Sequence, residues 1–198
     1  MTDQSEINVP SSWKRFLLEL ELARNYFRPY LLFGGGTARN PLLDGLLPTL
    51  LYVRMAELLD DAFEVHLQDA KLRVPKKLGN SFDRRIEFLE ERGVLKEPAD
   101  VCRIKDRRNE LAHEGKKHAT WEEVDADLIF IENELQNLGF VGHRPSFEYF
   151  GERSAFRDSS EPDVSAERDF KVGLKSEGKV VAEFGWTERL FGSEHADY

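Results

Sequence analysis

The chain has 198 residues, of which 40% are hydrophobic and 33% charged, and its formal net charge is −9. This length suits one good-sized domain or a domain with an appendage, and the acidic balance argues against a surface that coats nucleic acid generally. The single cysteine, Cys102, excludes an internal disulfide and a cysteine-based zinc site.

Targeting and cofactor motifs are not found in the sequence. No apolar run has the length of a membrane span, and the first residues do not resemble a signal peptide. These features predict a cytoplasmic protein that does not enter a membrane. The glycine run 34–36 lacks the continuation of a phosphate-binding loop, and no dinucleotide fingerprint occurs. We therefore expect no cofactor.

Apolar residues at helical spacing predict five amphipathic helices. The first begins at Ser11 or Ser12, and the second runs from about Asp44 or Pro48 to about residue 70. The fifth begins with a capping box at residues 120–123. The predicted apolar stripes are Trp13, Phe16, Leu20, Ala23 and Phe27 in the first helix; Leu51, Met55, Leu58, Ala62 and Phe63 in the second; Phe82, Ile86 and Leu89 in the third; and Trp121, Val124, Leu128, Ile131, Leu135 and Leu138 in the fifth.

This pattern predicts a mainly α fold, an antiparallel bundle of about five helices over residues 1–140. Residues 141–198 differ in composition, with a short strand expected at Ser146 to Phe150. Apolar and polar residues then alternate on both sides of a turn at residues 175–179, which predicts a β-hairpin. We expect a small C-terminal extension whose hairpin packs on the bundle, on a third strand or on a second subunit.

An arginine interrupts the apolar stripe of the predicted fourth helix, which runs from about residue 98 to 114. Four apolar residues share one face of this helix, and Arg108 lies near the middle of that face: Val101, Ile104, Leu111 and Ala112. A guanidinium among aliphatic side chains is costly unless an anionic group meets it. Two interpretations follow: a structural ion pair with an acid close to Glu110 or one from the fifth helix, or a site that holds an anion.

Asn109 and His113 lie beside Arg108 and share a face of the helix, because they are four residues apart. His113 and His118 are five apart, which points them about 140° away from each other on a helix and argues against a zincin-type site. We therefore expect no bound metal.

Residues 108–113, Arg-Asn-Glu-Leu-Ala-His, have the form of the Arg-x4–6-His motif of the HEPN superfamily. The chain resembles this family over roughly residues 11–139, because a short helix precedes the motif helix and one amphipathic helix follows it. The resemblance implies a bundle that forms a homodimer, with two Arg-His pairs in one shared cleft.

The resemblance also implies metal-independent endoribonuclease activity on RNA, as in many family members, in a defence or stress response. Other members bind nucleotides or serve as scaffold and dimerisation modules without cleavage, and this remains the alternative. Toxin members regulated by a partner nucleotidyltransferase often carry a tyrosine two residues after the motif histidine. Here that position is Gly115, which argues against that subtype and leaves the identity of a regulatory protein partner open.

The residues themselves suit cleavage of RNA by its own 2′-hydroxyl group. A histidine such as His113 can act as base or acid at physiological pH. Arg108 can hold phosphate oxygens with a bidentate fork, and Asn109 can orient the imidazole or bind ribose or phosphate. Basic residues are locally in excess around this motif, and the following are expected to guide the RNA backbone: Arg107, Lys116 and Lys117.

Overall fold

The computed structural model of the protein describes residues 8–24, 30–31, 37–38, 41–69, 81–113, 118–161 and 164–191. The chain divides into two compact units, Met1–His143 and Arg144–Tyr198. The change in composition predicts a boundary after residue 140.

The described residues of the first unit form a helical bundle organised around one long helix. The helices are α1 (Val9–Leu22), α2 (Pro41–Asp69), α3 (Phe82–Glu90), α4 (Pro98–His113) and α5 (Trp121–Asn137). Between α1 and α2 in the chain, the two-residue strands β1 (Tyr30–Leu31) and β2 (Thr37–Ala38) pair antiparallel. Because α2 packs against each of the other four helices, its buried face forms the centre of the core.

The core consists largely of the predicted apolar stripes. All five predicted positions of α2 are buried, and so are the predicted positions of α5 from Trp121 to Leu135. Leu138 and Phe82 are half-buried, because each lies at the end of its helix. Phe27 lies outside the described residues.

Helix α2 begins earlier than predicted, at Pro41, so Pro48 lies in its interior rather than in its first turn. Proline lacks an N–H and so removes one bond of the helix. The hydroxyl of the next residue, Thr49, makes two bonds of its own: Oγ1 donates to the carbonyl oxygen of Gly45 at 2.8 Å and accepts the N–H of Ala119 at 2.9 Å. The hydroxyl thus ties the proline turn of α2 to the chain just before α5.

Helix α5 begins with the predicted capping box. Thr120 Oγ1 accepts the N–H of Glu123 at 3.2 Å, and the Glu123 carboxylate accepts the N–H of Thr120 at 2.7 Å. Both bonds satisfy backbone N–H groups that lack partners within the helix.

The second unit shows that the predicted fold class is wrong: the protein is mixed α/β rather than mainly α with a small hairpin. Its strands are β3 (Glu148–Arg153), β4 (Arg157–Asp158), β5 (Val164–Ser176) and β6 (Lys179–Phe191). They form a four-stranded antiparallel sheet in which β6 pairs with one edge of β5, while β3 and β4 pair with successive parts of the other edge.

The hairpin strands are longer than the apolar pattern predicts, because charged residues occupy many of their positions. Arg168 of β5 lies opposite Glu188 of β6, with their charged groups 2.5 Å apart. Lys171 and Glu183 form a second cross-strand ion pair at 2.9 Å. Such pairs stabilise a sheet, but a search for alternating apolar residues does not detect them.

Gly173 in β5 is required by close packing in this sheet. It lies opposite Phe150 of β3, and a Cβ atom at Gly173 would be 2.7 Å from the Phe150 ring and 2.3 Å from the carbonyl oxygen of Ala182. Both distances are too short for any side chain, so the Phe150 ring occupies the space that a side chain would need.

Candidate functional site

The candidate site lies on α4, whose buried side holds it against the bundle. Pro98 suits the first turn of α4 because its missing N–H would have no partner there. Val101, Ile104 and Leu111 are buried as predicted, whereas Ala112, predicted for the same face, is exposed. Arg108 lies between these positions but at the margin of the core, with 32% of its side chain exposed.

Arg108 lies in a cavity of about 250 Å³ formed by α2, the start of α3 and α4. Its Nη1 donates to Oδ1 of Asn109 at 3.1 Å, and its Nη2 lies 3.4 Å from Oε1 of Glu57 on α2. The bond to Asn109 fixes the orientation of the guanidinium. The longer contact with Glu57 is a weak hydrogen bond between partly exposed groups.

The other charges of this cavity have close partners. Asp60 accepts two bonds from Arg85, at 2.7 and 2.8 Å. Lys105 pairs with Asp83 and, at 2.9 Å, with Asp106, and the hydrogen bond with Asp83 is the main reason that its pKa is raised. Of the two basic residues lining the cavity, Arg108 is therefore the one more readily available to an anion.

Two neighbouring arginines of α4 are held by α5 instead. Arg103 forms bonds of 2.6 and 3.0 Å to Asp127, and these bonds raise its pKa. Arg107, proposed from the sequence to bind RNA, lies 3.1 Å from Glu123 and 3.0 Å from Glu110, and also donates to the carbonyl oxygen of His118 at 3.2 Å. Burial lowers the pKa of Arg107, but these carboxylates outweigh burial and raise it overall.

His113 is the last residue of α4 and is exposed. It lies one turn beyond Asn109 on the same side of the helix, whereas Arg108 and His113 point about 140° apart around the helix axis. No hydrogen bond joins Arg108 to His113 among the contacts of the described ranges. The structure therefore brings Arg108 and Asn109 together, but not Arg108 and His113 of one chain. Lys116 and Lys117 lie outside the described residues.

Sequence reasoning missed Glu57, the partner of Arg108. The two residues are 51 positions apart on different helices, and such pairing cannot be read from one sequence. A weak signal exists, because acidic residues recur at helical spacing on one side of α2, at Glu57, Asp60 and Glu64. An acidic stripe beside the predicted core suggests a basic partner helix but does not identify it.

Cys102, the remaining candidate nucleophile of α4, is half-buried. Burial raises the pKa of its thiol, and this effect exceeds the opposing effect of Lys105. A thiol with a raised pKa is a poor nucleophile. The chemistry that this helix can support therefore rests on Arg108, Asn109 and His113.

Comparison with known proteins adds no relative: no protein-family model, no curated protein and no solved structure matches the chain. Within the described ranges, no helix combines the length and the apolar character needed to cross a bilayer. In the same part of the chain, no cluster of three or more His, Cys, Asp and Glu side chains has the arrangement of a metal site.

Proposed function

We propose that the protein is a cytoplasmic, metal-independent endoribonuclease of the HEPN type, acting in defence or stress response. The observation that carries this proposal is the half-exposed guanidinium of Arg108, oriented by Asn109 at 3.1 Å. The exposed His113 follows one helical turn after Asn109 on the same side of α4. This set supplies an anion-binding group and a proton-transfer group on one exposed helix end.

The reaction follows from the chemistry of these groups. A base removes the proton of the ribose 2′-hydroxyl, and the oxygen attacks the adjacent phosphorus. Arg108 stabilises the extra negative charge on the phosphorane oxygens, and an acid gives a proton to the leaving 5′-oxygen. The products are a 2′,3′-cyclic phosphate and a free 5′-hydroxyl, so a substrate without the 2′-hydroxyl is not cleaved.

A homodimer would complete this site. Base and acid are two separate tasks, while the described residues of one chain place a single histidine beside Asn109. In addition, the two side chains Arg108 and His113 of one helix diverge by about 140°. Two α4 helices that meet around a two-fold axis would put two copies of each group in one cleft.

A substrate phosphate must compete with the Glu57 carboxylate for the guanidinium of Arg108. A phosphate that takes both outer N–H groups of Arg108 must displace a carboxylate oxygen at 3.4 Å. Exchange of one exposed anion for another costs little, because the present contact is long and both side chains are accessible. A bidentate bond to phosphate is the stronger of the two.

The test is RNA cleavage in the presence of a metal chelator, with His113→Ala and Arg108→Ala as the altered variants. His143→Ala and Arg15→Ala are matched controls, since both residues are exposed and neither belongs to α4. We expect cleavage to a cyclic phosphate by the wild-type protein and both controls. The rate should fall at least about a hundredfold without His113, the range typical of a general acid or base. Cleavage that is unchanged in His113→Ala with intact helical content would contradict the proposal.

The acidic partner of Arg108 also favours a second candidate, a non-catalytic nucleotide-binding or scaffold module of the same fold. A carboxylate at 3.4 Å from the guanidinium and a net charge of −9 disfavour long RNA more than a single nucleotide. Thermal stabilisation by a mononucleotide, lost in Arg108→Ala and accompanied by no RNA cleavage, would select this candidate.

A further inference from the structure

The cavity that contains Arg108 is larger than one phosphate group needs. Its volume is about 250 Å³. Since a water molecule occupies about 30 Å³ in the liquid, the cavity has room for roughly eight of them. A phosphate group has only five heavy atoms and would leave much of this space empty. A further part of a bound nucleotide can therefore enter the cavity.

Three carboxylates line the cavity, and two of them, Asp60 and Asp83, are already bound closely by basic residues. The third, Glu57, has only the 3.4 Å contact with Arg108 among the contacts of the described residues, and 42% of its side chain is exposed. An ionised carboxylate accepts hydrogen bonds and cannot donate them. When a phosphate takes the guanidinium of Arg108, Glu57 therefore needs another hydrogen-bond donor.

Asn109 lies beside Glu57, because the same guanidinium contacts both side chains. Nη1 of Arg108 donates to Oδ1 of Asn109 at 3.1 Å, and Nη2 donates to Oε1 of Glu57 at 3.4 Å. With its oxygen engaged in this way, the Asn109 amide presents its NH2 group as a donor. Within the described part of the chain, this NH2 group has no hydrogen-bond partner. The cavity thus offers two carboxylate acceptors next to one amide donor.

The Watson–Crick edge of guanine is complementary to this set of groups. Guanine presents two adjacent N–H donors, at N2 and N1, followed by the acceptor O6. Adenine and cytosine present one amino group beside a ring-nitrogen acceptor, and uracil presents one N–H between two carbonyl oxygens, so each leaves a carboxylate oxygen unpaired. Unstacked bases of RNA are recognised on this edge and by aromatic rings. Phe82 lines the cavity and is half-buried, and it supplies an apolar surface for the base.

We propose that this cavity receives a guanine base of the RNA, with Glu57 accepting the N1–H and N2–H groups and the Asn109 amide donating to O6. The proposal rests on the proposed function for the nucleotide phosphate at Arg108, and it makes Glu57 the residue that determines base preference. Glu57 then has two successive partners. In the free protein it contacts Arg108, and in the complex it binds the base while Arg108 holds the phosphate.

The test is the base preference of cleavage by the full chain, measured with oligouridine RNAs that carry one guanosine, adenosine or cytidine. We expect the wild-type protein to cleave at guanosine at least about fivefold faster than at the other bases, the low end of what a bidentate base contact provides. Glu57→Gln presents one acceptor and one donor, which suit adenine, so the ratio of guanosine to adenosine cleavage should fall at least about fivefold. Glu64→Gln, two turns later on α2 and outside the cavity lining, is the matched control and should keep the wild-type ratio.

Calorimetric titration with guanosine and adenosine 3′-monophosphates separates this inference from the ribonuclease activity. Tighter binding of the guanosine nucleotide, lost in Glu57→Gln, would support the base site even if no RNA is cleaved. Cleavage at equal rates for all bases, or a guanosine preference that Glu57→Gln leaves unchanged, would overturn the base site and leave the ribonuclease proposal standing. Equal binding of both nucleotides without RNA cleavage, or no binding and no cleavage, would overturn both.

Discussion

At the scale of single residues, the arginines of α4 differ in how readily they can exchange their carboxylate partners, because those partners differ in burial. Asp127 is only 4% exposed, so Arg103 is bound to a carboxylate that would be costly to leave alone. Arg107 secures the start of α5 through Glu123, the residue of the capping box. Arg108 has only a long contact with an exposed glutamate, and this leaves it the one of these three best suited to exchange its partner.

Glu134 on α5 predicts a pH dependence of stability. The residue is 2% exposed, and its Oε2 has no hydrogen-bond partner among the described residues. Burial raises the pKa of this carboxyl above 4.5, and the backbone N–H of Lys96 and the Asn137 side chain oppose the shift without cancelling it. Because the folded protein holds this proton more tightly than the unfolded chain, the resulting stability is present below pH 4.5 and is lost as the pH rises through the folded value.

Glu134→Gln removes this loss, because the amide is neutral at every pH. We expect the free energy of unfolding of the variant, relative to wild type, to increase as the pH is raised above 4.5. Urea denaturation at a series of pH values measures it. Gln136→Ala is the control, because this exposed residue of the same helix carries no titrating group, and its difference from wild type should be an offset without that trend. A pH-independent difference for Glu134→Gln would show that its carboxyl titrates normally.

At the scale of elements, the packing of the sheet leaves no room for a side chain at Gly173. Gly173→Ala places a methyl group against the Phe150 ring and the carbonyl oxygen of Ala182. We expect a loss of about 1 to 3 kcal/mol in the stability of the sheet, the usual cost of overpacking. Hydrogen exchange of the β5 and β6 amides measures it.

Gly151→Ala is the matched control for Gly173→Ala. It lies in the same sheet, and its nearest neighbour would be a Val172 methyl group at 3.8 Å. Protection of the β5 and β6 amides should change little in this variant. Equal loss of protection in both variants would contradict the packing explanation, and backbone entropy would not account for it, because that entropy favours alanine over glycine in a strand.

The elements also show what the sequence could and could not predict. The stripes of α2 and α5 and the capping box at Thr120 were predictable, because their signals lie within a few residues of each other. The start of α2 was not predictable from local signals, since the Thr49 hydroxyl next to Pro48 has its second partner at Ala119, 70 residues further along the chain. The full length of β5 and β6 depends on cross-strand ion pairs such as Arg168–Glu188. The motif of α4 was visible, but its partner Glu57 was not.

At the scale of the whole molecule, a net charge of −9 constrains how RNA would bind. Arg103, Arg107 and Lys105 are engaged with carboxylates, so few of the basic side chains of α4 remain to release counterions. With about two to four phosphate contacts, the logarithm of affinity should fall against the logarithm of salt concentration with a slope of roughly −1.4 to −2.8.

Fluorescence anisotropy of labelled RNA with His113→Ala, between about 50 and 200 mM KCl, measures this slope. Arg108→Ala should reduce it by about one contact per subunit, whereas Arg15→Ala should leave it unchanged. A much steeper slope would mean that RNA binds across a broad basic surface that the charge pairing of α4 does not predict.

The contact between Tyr52 and Asp127 makes the ultraviolet absorbance of Tyr52 sensitive to whether the bundle is closed. The Tyr52 hydroxyl is fully buried and donates to Asp127 at 2.5 Å, and burial together with this carboxylate holds the pKa of the phenol far above its ordinary value. We therefore expect this phenol to ionise only when α2 and α5 separate. In an alkaline titration, ultraviolet absorbance detects phenolate formation. The tyrosine that ionises last and slowly would be Tyr52, and the rate of its ionisation would report the rate at which the bundle opens.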